Sequence, residues 1–173
     1  MDGSRTLNGA SRRHGHHGLL LTPVVSFTTG SSRLYTRNAA IRISRPVSSV
    51  WEAWTSRNFW KCFFSYDFFE GEFCPASAFF AKGSRDDGEF REHGQFSVIR
   101  EGLVLRYHVW HWGKDPNQDS DSTITVTFKE LGDGSTKIHV LQIWRLADGE
   151  TDAAFDWNTR LEHIRLFLEN ICA

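Results

Sequence analysis

The sequence predicts an α+β domain in which a curved antiparallel sheet wraps around one long C-terminal helix, with two short helices after the first strand. Three observations carry that prediction. Residues 41–55 (IRISRPVSSVWEAWT) read as a strand that stops at a proline and turns directly into a short amphipathic helix bearing two tryptophans. Residues 155–169 (FDWNTRLEHIRLFLE) read as one amphipathic helix. Everything between them is strand-like. A sheet bracketed in this way buries one face against the long helix, and the expected result is an apolar cavity between the two.

The elements follow in order. The first 33 residues are rich in Ser, Gly, Arg and His, and Asp2 is their only acid. That composition reads as a flexible leader. Arg5, Arg12, Arg13 and Arg33 among many hydroxyls also fit an organelle-targeting segment. The domain proper is expected over residues 34–173. Residues 34–44 alternate, with Ala39, Ile41 and Ile43 on one face, which argues a half-buried strand. Pro46 ends it and suits the start of a helix, with Ser44 as the expected cap. Val47, Val50, Trp51 and Trp54 then repeat at helical spacing. Ser56 starts a second short helix through Phe59, Trp60 and Phe63.

Residues 65–82 read as two short strands broken by Gly71 and Pro75. Asp86, Asp87, Glu89 and Glu92 read as a solvated turn. A strand over 90–99 is expected to place Phe96 and Val98 on one face. Residues 103–112 make the longest strand candidate, and a polar loop follows over 113–121. Residues 122–131 alternate cleanly, with Ile124, Val126 and Phe128 against Thr123, Thr125 and Thr127. Gly132-Asp133-Gly134 is a hairpin signal, and the last strand returns over 136–144. The C-terminal helix begins behind the acidic stretch 148–152, where negative charge suits its dipole. Trp157, Leu161, Ile164, Leu168 and Ile171 form its apolar stripe, and Glu162 is spaced to pair with Arg165.

Composition narrows the function. A chain of 173 residues suits one domain. A formal net charge of −1, with both signs mixed along the chain, leaves no basic footprint for nucleic acid. No apolar run approaches the roughly 20 residues of a membrane-spanning helix. Cys62, Cys74 and Cys172 are odd in number and far apart, so neither a disulfide framework nor a zinc site is expected. A reducing, cytoplasmic location is expected, or an organelle if the leader targets one. There is no nucleophile elbow and no phosphate-cradling glycine loop, so no catalytic residue, metal or cofactor is assigned. Seven Trp and fourteen Phe against one Met make the core bulky and rigid.

The expected ligand is therefore a small hydrophobic or aromatic molecule. Trp54, Trp110, Trp144 and Trp157 are the rings expected around its cavity, with Phe63, Phe96 and Leu161 completing the apolar wall. Gln142 lies in register with Ile138, Val140 and Trp144 and is expected to point inward, where it bonds a backbone group or orients a ligand oxygen. His108 and His111 stand three apart in a strand, so they face opposite ways and cannot share a metal. One of them is expected to face the cavity, and the pattern does not say which.

The order of strand, PVSSVWEAWT helix, meander, STITVTFKELGDGSTKIHVLQIW hairpin and FDWNTRLEHIRLFLE helix resembles the START-like superfamily. Within it the chain resembles the family named for the C-terminal domain of the activator of the Hsp90 ATPase. The likeness covers about residues 34–171. It is carried by Val50-Trp51-x-Ala53-x-Thr55, by the Ser-x-x-x-Val-Thr strand leading to Gly-Asp-Gly-x-Thr, and by Trp157 four residues before Leu161. These are fold markers, and they imply a helix-grip domain. The resemblance also implies two further readings: an enzyme of cyclase or hydrolase type using a cavity histidine as general base, and a partner of the chaperone Hsp90. The activator itself carries a separate N-terminal domain that engages the chaperone, and a short leader is expected in its place here.

Overall fold

The computed structural model describes residues 27–29, 32–85, 88–111, 122–147 and 156–170. Its elements are β1 (Phe27–Thr29), β2 (Ser32–Ile43), α1 (Val47–Trp54), α2 (Arg57–Phe64), β3 (Tyr66–Gly71), β4 (Ala78–Arg85), β5 (Gly88–Arg100), β6 (Val104–His111), β7 (Ser122–Glu130), β8 (Thr136–Ala147) and α3 (Trp157–Asn170). The strands form one antiparallel sheet in the order β1-β2-β8-β7-β6-β5-β4-β3. Strands β3 to β8 are a meander. β2 then lies beside β8, from Ile43 opposite Thr136 to Ser32 opposite Ala147. Helix α3 packs its stripe of Trp157, Leu161, Ile164 and Leu168 onto the sheet. Together these features are a helix-grip fold.

Most local signals act as expected. Ser56 caps α2 by accepting a hydrogen bond from the Phe59 amide at 3.2 Å. The hairpin at Gly132-Asp133-Gly134 closes with Leu131 N–H on the Ser135 carbonyl at 2.8 Å, and Gly134 takes the positive φ of 75° that its turn requires. Arg165 pairs with both Glu162 and Glu169 on the outer side of α3.

Several boundaries move, each for a physical reason. Pairing of the sheet begins before residue 34, because β1 and the first residues of β2 already form a ladder. The residue at the N-cap of α1 is Pro46, and no side chain among the described residues caps that helix. Ser44 instead gives its amide to the Glu169 carboxylate at 2.7 Å. The adjoining Arg45 donates to the carbonyls of Leu168 and Glu169, both at 3.0 Å, and so caps the C-terminal end of α3. The longest strand is β5, with 13 residues, rather than the segment 103–112. Its register shifts between Phe96 and Val98. Phe96 opposes Tyr107 and Ile99 opposes Leu105 on the buried face, so Val98 falls opposite Arg106 on the other side. The expected pairing of Phe96 with Val98 on one face fails there, because a bulged residue changes the alternation. Helix α3 starts at Trp157, and Asp156 serves its first turn by accepting from the Asn158 amide at 3.0 Å and from the Thr159 hydroxyl. Those bonds hold the Asp156 carboxyl below its ordinary pKa, the Thr159 hydroxyl contributing most. The acidic stretch 148–152, the polar loop 113–121 and Ile171 lie outside the described residues.

The core is densest around Trp60, which has no accessible surface. Phe64, Phe69, Phe73, Phe79, Phe96 and Tyr107 surround it with ring centroids 4.9–5.6 Å away. Its indole N–H donates to the Trp54 carbonyl at 2.8 Å. Gly94 makes room for this cluster: a Cβ there would lie 2.2 Å from the Phe79 ring and 2.5 Å from the His108 carbonyl. Gly94→Ala is therefore expected to cost about 1–3 kcal/mol, the range for overpacking a tight core, as read by urea unfolding. An unchanged midpoint would show that Phe79 relaxes freely.

Candidate functional site

Filling decides where a site is possible. A side chain with no accessible surface borders no space wide enough for a water molecule. Ile43, Leu105, Val126, Ile138, Val140 and Ile164 are all at 0%, and Leu161 is at 1%. The middle of α3 thus lies on a filled sheet, and the hollow expected along the helix is absent over that length. Trp54 and Phe96, expected in the cavity wall, are also at 0% and belong to solid core. Trp54 packs against Phe59 and Phe128, and its indole nitrogen finds no hydrogen-bond partner among the described residues. Phe63 sits at the outer rim of α2, its ring 4.6 Å from Phe59 and 5.0 Å from Phe167.

Beside the first turn of α3 a polar group is set into the apolar interior. There Phe64, Tyr66, Glu92, Tyr107, Val109 and Ile124 keep 3–7% exposure. Strand register explains the grouping, because Glu92, Gly94 and Phe96 of β5 face the same way as Tyr107 and Val109 of β6 and Ile124 of β7. Glu92 is the one charged side chain classed as buried among the described residues. Its carboxylate accepts from the Tyr66 hydroxyl at 2.7 Å. The Arg160 guanidinium, from the second turn of α3, lies 5.4 Å from the Phe64 ring centre. The Tyr107 hydroxyl makes no hydrogen bond with any described residue. Burial, and next the charge of Glu92, push its pKa far above the ordinary tyrosine value, with Arg160 opposing. The phenol is therefore neutral throughout the physiological range.

Gln142 points inward, as its register requires, opposite Ile124. Its carbonyl accepts from the Trp157 indole N–H at 2.7 Å, and its amide donates to the Ser122 hydroxyl at 3.0 Å. Its partners are side chains, not the backbone expected. Gln142 thereby pins the N-terminal end of α3 to the sheet and fixes the plane of the Trp157 ring. Trp157 is 2% exposed and stacks its edge on Phe64 at 6.0 Å. Trp144 lies farther along the same face, stacked on Tyr35 at 5.5 Å with Arg37 5.1 Å from its ring centre.

The two histidines separate as the strand period demands. His108 pairs with Gln95 and Thr123, and its Nδ1 lies 3.0 Å from the Thr123 hydroxyl. That is the face of the sheet turned away from α3, so His108 is not an interior base. Burial, with Arg106 adding to it, holds its pKa below the ordinary histidine value. Position 111 falls opposite Glu92, on the concave register. Trp110 shares the outer face with His108 and stacks on His93 at 5.6 Å, so its expected place in the cavity wall is corrected as well. Sequence reading missed Glu92, which the run of acids from Asp86 onward disguised as a solvated turn. Stepping back in twos from Phe96 reaches Gly94 and then Glu92, and that period was the available signal. Tyr66, Tyr107 and Arg160 carried none, since tyrosine and arginine fit either face.

Among the described residues no group of three or more potential metal-ligating side chains exists, and no helix is long and apolar enough to cross a membrane.

An antiparallel sheet gripping one long C-terminal helix, with two short helices between its early strands, defines a helix-grip domain of the START-like class. The chain belongs to the family of Activator of Hsp90 ATPase homolog 1-like proteins, whose profile matches residues 44–169. No curated protein matches the sequence significantly. Solved structures similar to it include CalU16 from Micromonospora echinospora, with a TM-score of 0.61 and 18% identity over 86% of this chain and 85% of that one. ChR145 from Cytophaga hutchinsonii has a TM-score of 0.60 and 23% identity over 78% and 94%. The Aha1 dimer from Colwellia psychrerythraea has a TM-score of 0.56 and 13% identity over 80% and 98%. At these identities the likeness establishes the fold alone.

Proposed function

We propose that this protein binds a small hydrophobic or aromatic molecule at the N-terminal end of α3, between that helix and strands β5 to β8. The observation that carries the reading is a polar cluster set among apolar walls: rings and methyl groups surround the buried Glu92 carboxylate and its Tyr66 partner there. Apolar walls with a few fixed polar groups are the usual make-up of a small-molecule site. Trp157 and Phe64 form one wall, and Val109 and Ile124 the other. Gln142 acts by holding Trp157, since both ends of its amide are occupied by protein.

The test is a thermal-shift screen of the full chain against lipids, steroids and aromatic polyketides, paired with displacement of a hydrophobic fluorescent dye. A ligand at one hundred times its Kd adds about 2.7 kcal/mol of stability. At roughly 2–4 °C per kcal/mol for a protein of this size, the expected rise in Tm is roughly 5–10 °C. A panel in which no compound raises Tm and none displaces the dye removes the reading.

Family membership favours a second reading, contact with an Hsp90 chaperone. Its expected result is co-purification with Hsp90 and stimulation of the Hsp90 ATPase. The reading ends if neither occurs.

A further inference from the structure

We propose that Tyr107 is the polar anchor of the ligand, and that it selects a neutral carbonyl oxygen on an aromatic or fused-ring body. The inference rests on the binding reading above and names the chemistry that the site would choose. Tyr107 stands on β6 between Leu105 and Val109, opposite Phe96 and Ile124, with 3% of its surface exposed. The enclosed side-chain atoms without a partner among the described residues are Trp54 Nε1 and His93 Nε2; the Tyr107 hydroxyl is not one of them, so it meets accessible space, where a guest's acceptor can reach it. The neighbouring polar groups each have a protein partner: Tyr66 gives its hydroxyl to Glu92, Trp157 its indole N–H to Gln142, and Gln142 its amide to Ser122. The Tyr107 hydroxyl alone in this group bonds no described residue.

The surroundings then choose the guest. The phenol stays protonated, because burial and the Glu92 carboxylate both oppose its ionisation. It is a fixed donor in need of an acceptor. A guest carboxylate set against this hydroxyl would give up its hydration beside the buried Glu92 carboxylate, which costs free energy. A carbonyl oxygen accepts the same bond without that penalty. The aromatic rings of Trp60, Phe79 and Phe96 back the phenol at 4.9–6.1 Å, and Phe64 and Trp157 stand at the helix side. A flat ring system matches such walls better than a flexible chain, which would lose more conformational freedom on binding.

Three compounds with one body separate the possibilities: fluorene, fluorenone and fluorene carboxylate. Titrated into the full chain and followed by tryptophan fluorescence, fluorenone is expected to bind roughly two- to tenfold tighter than fluorene, the range for one hydrogen bond, with the carboxylate weakest. The carbonyl stretch of bound fluorenone is expected at lower wavenumber than in an apolar solvent. Tyr107→Phe is expected to remove both the preference and the infrared shift while still binding fluorene. Equal binding of fluorene and fluorenone, an unshifted carbonyl band, or an unchanged preference in Tyr107→Phe overturns this inference and leaves the binding reading in place. Failure of all three compounds to bind overturns both. The infrared measurement needs only the unmodified protein, so it decides the matter even if the variant does not fold.

Discussion

Trp60→Ala is expected to destabilise the fold by about 3–5 kcal/mol, the range for removing a large aromatic from a packed core. The upper part of that range is expected, for two reasons. The ring is surrounded on β3, β4, β5 and β6 by aromatic neighbours that are themselves too rigid to collapse into the space left behind. Its N–H also satisfies the Trp54 carbonyl at the end of α1, and truncation leaves that buried acceptor without its partner. Native domains have only about 5–15 kcal/mol in total, so this single change consumes a large share of the stability. Urea unfolding monitored by circular dichroism measures it. A loss under about 1.5 kcal/mol would mean that the aromatic cluster rearranges around the gap and is not the rigid core described above. Trp60→Phe separates the two contributions, because it keeps most of the ring packing and deletes only the hydrogen bond.

Trp157→Ala is expected to cost about 3–5 kcal/mol as well, but through a different route. The ring is 2% exposed and forms the first inward residue of α3. Removing it strips the Gln142 carbonyl of its partner and releases the first turn of the helix, while Leu161, Ile164 and the Arg45 cap still hold the remainder. Hydrogen exchange is therefore expected to rise at the start of α3 and to stay slow at its C-terminal half. Trp157 packs on Phe64 beside the Tyr66–Glu92 pair, so a stability loss well below 3 kcal/mol would indicate neighbouring space that lets the site relax. Uniformly faster exchange along α3 would sink the view that its two ends are held independently.

The legibility of this molecule in its sequence varies element by element. Ile124, Val126 and Phe128 alternate with threonines, and β7 forms with those faces. Trp157, Leu161, Ile164 and Leu168 step at helical spacing, and all four are buried. Ser56 caps the helix it precedes. In each case the deciding interaction lies within a few residues. The bulge after Phe96 was illegible, because alternation continues to read smoothly through a residue that has no partner across the ladder. β6 was ambiguous for a related reason. Leu105, Tyr107 and Val109 on one side and His108 and Trp110 on the other are bulky on both, so the pattern could not choose the buried face. Pairing with β5 and β7 chose it, putting Tyr107 inside and Trp110 outside. Gln142 was legible as an inward amide, yet its partners Ser122 and Trp157 come from other elements and no spacing announces them.

By itself the sequence determined the succession of elements, the buried stripe of α3, the hairpin before β8 and the family, because periodicity and turn chemistry act over short spans of chain. Tertiary structure alone decided how much of the interior is occupied and which groups meet beside the first turn of α3. Trp60, Phe96 and Tyr107 belong to three different elements, as do Tyr66, Glu92 and Arg160. Whether such side chains fill a space or line one depends on volumes summed across the folded molecule, a quantity that no local pattern contains.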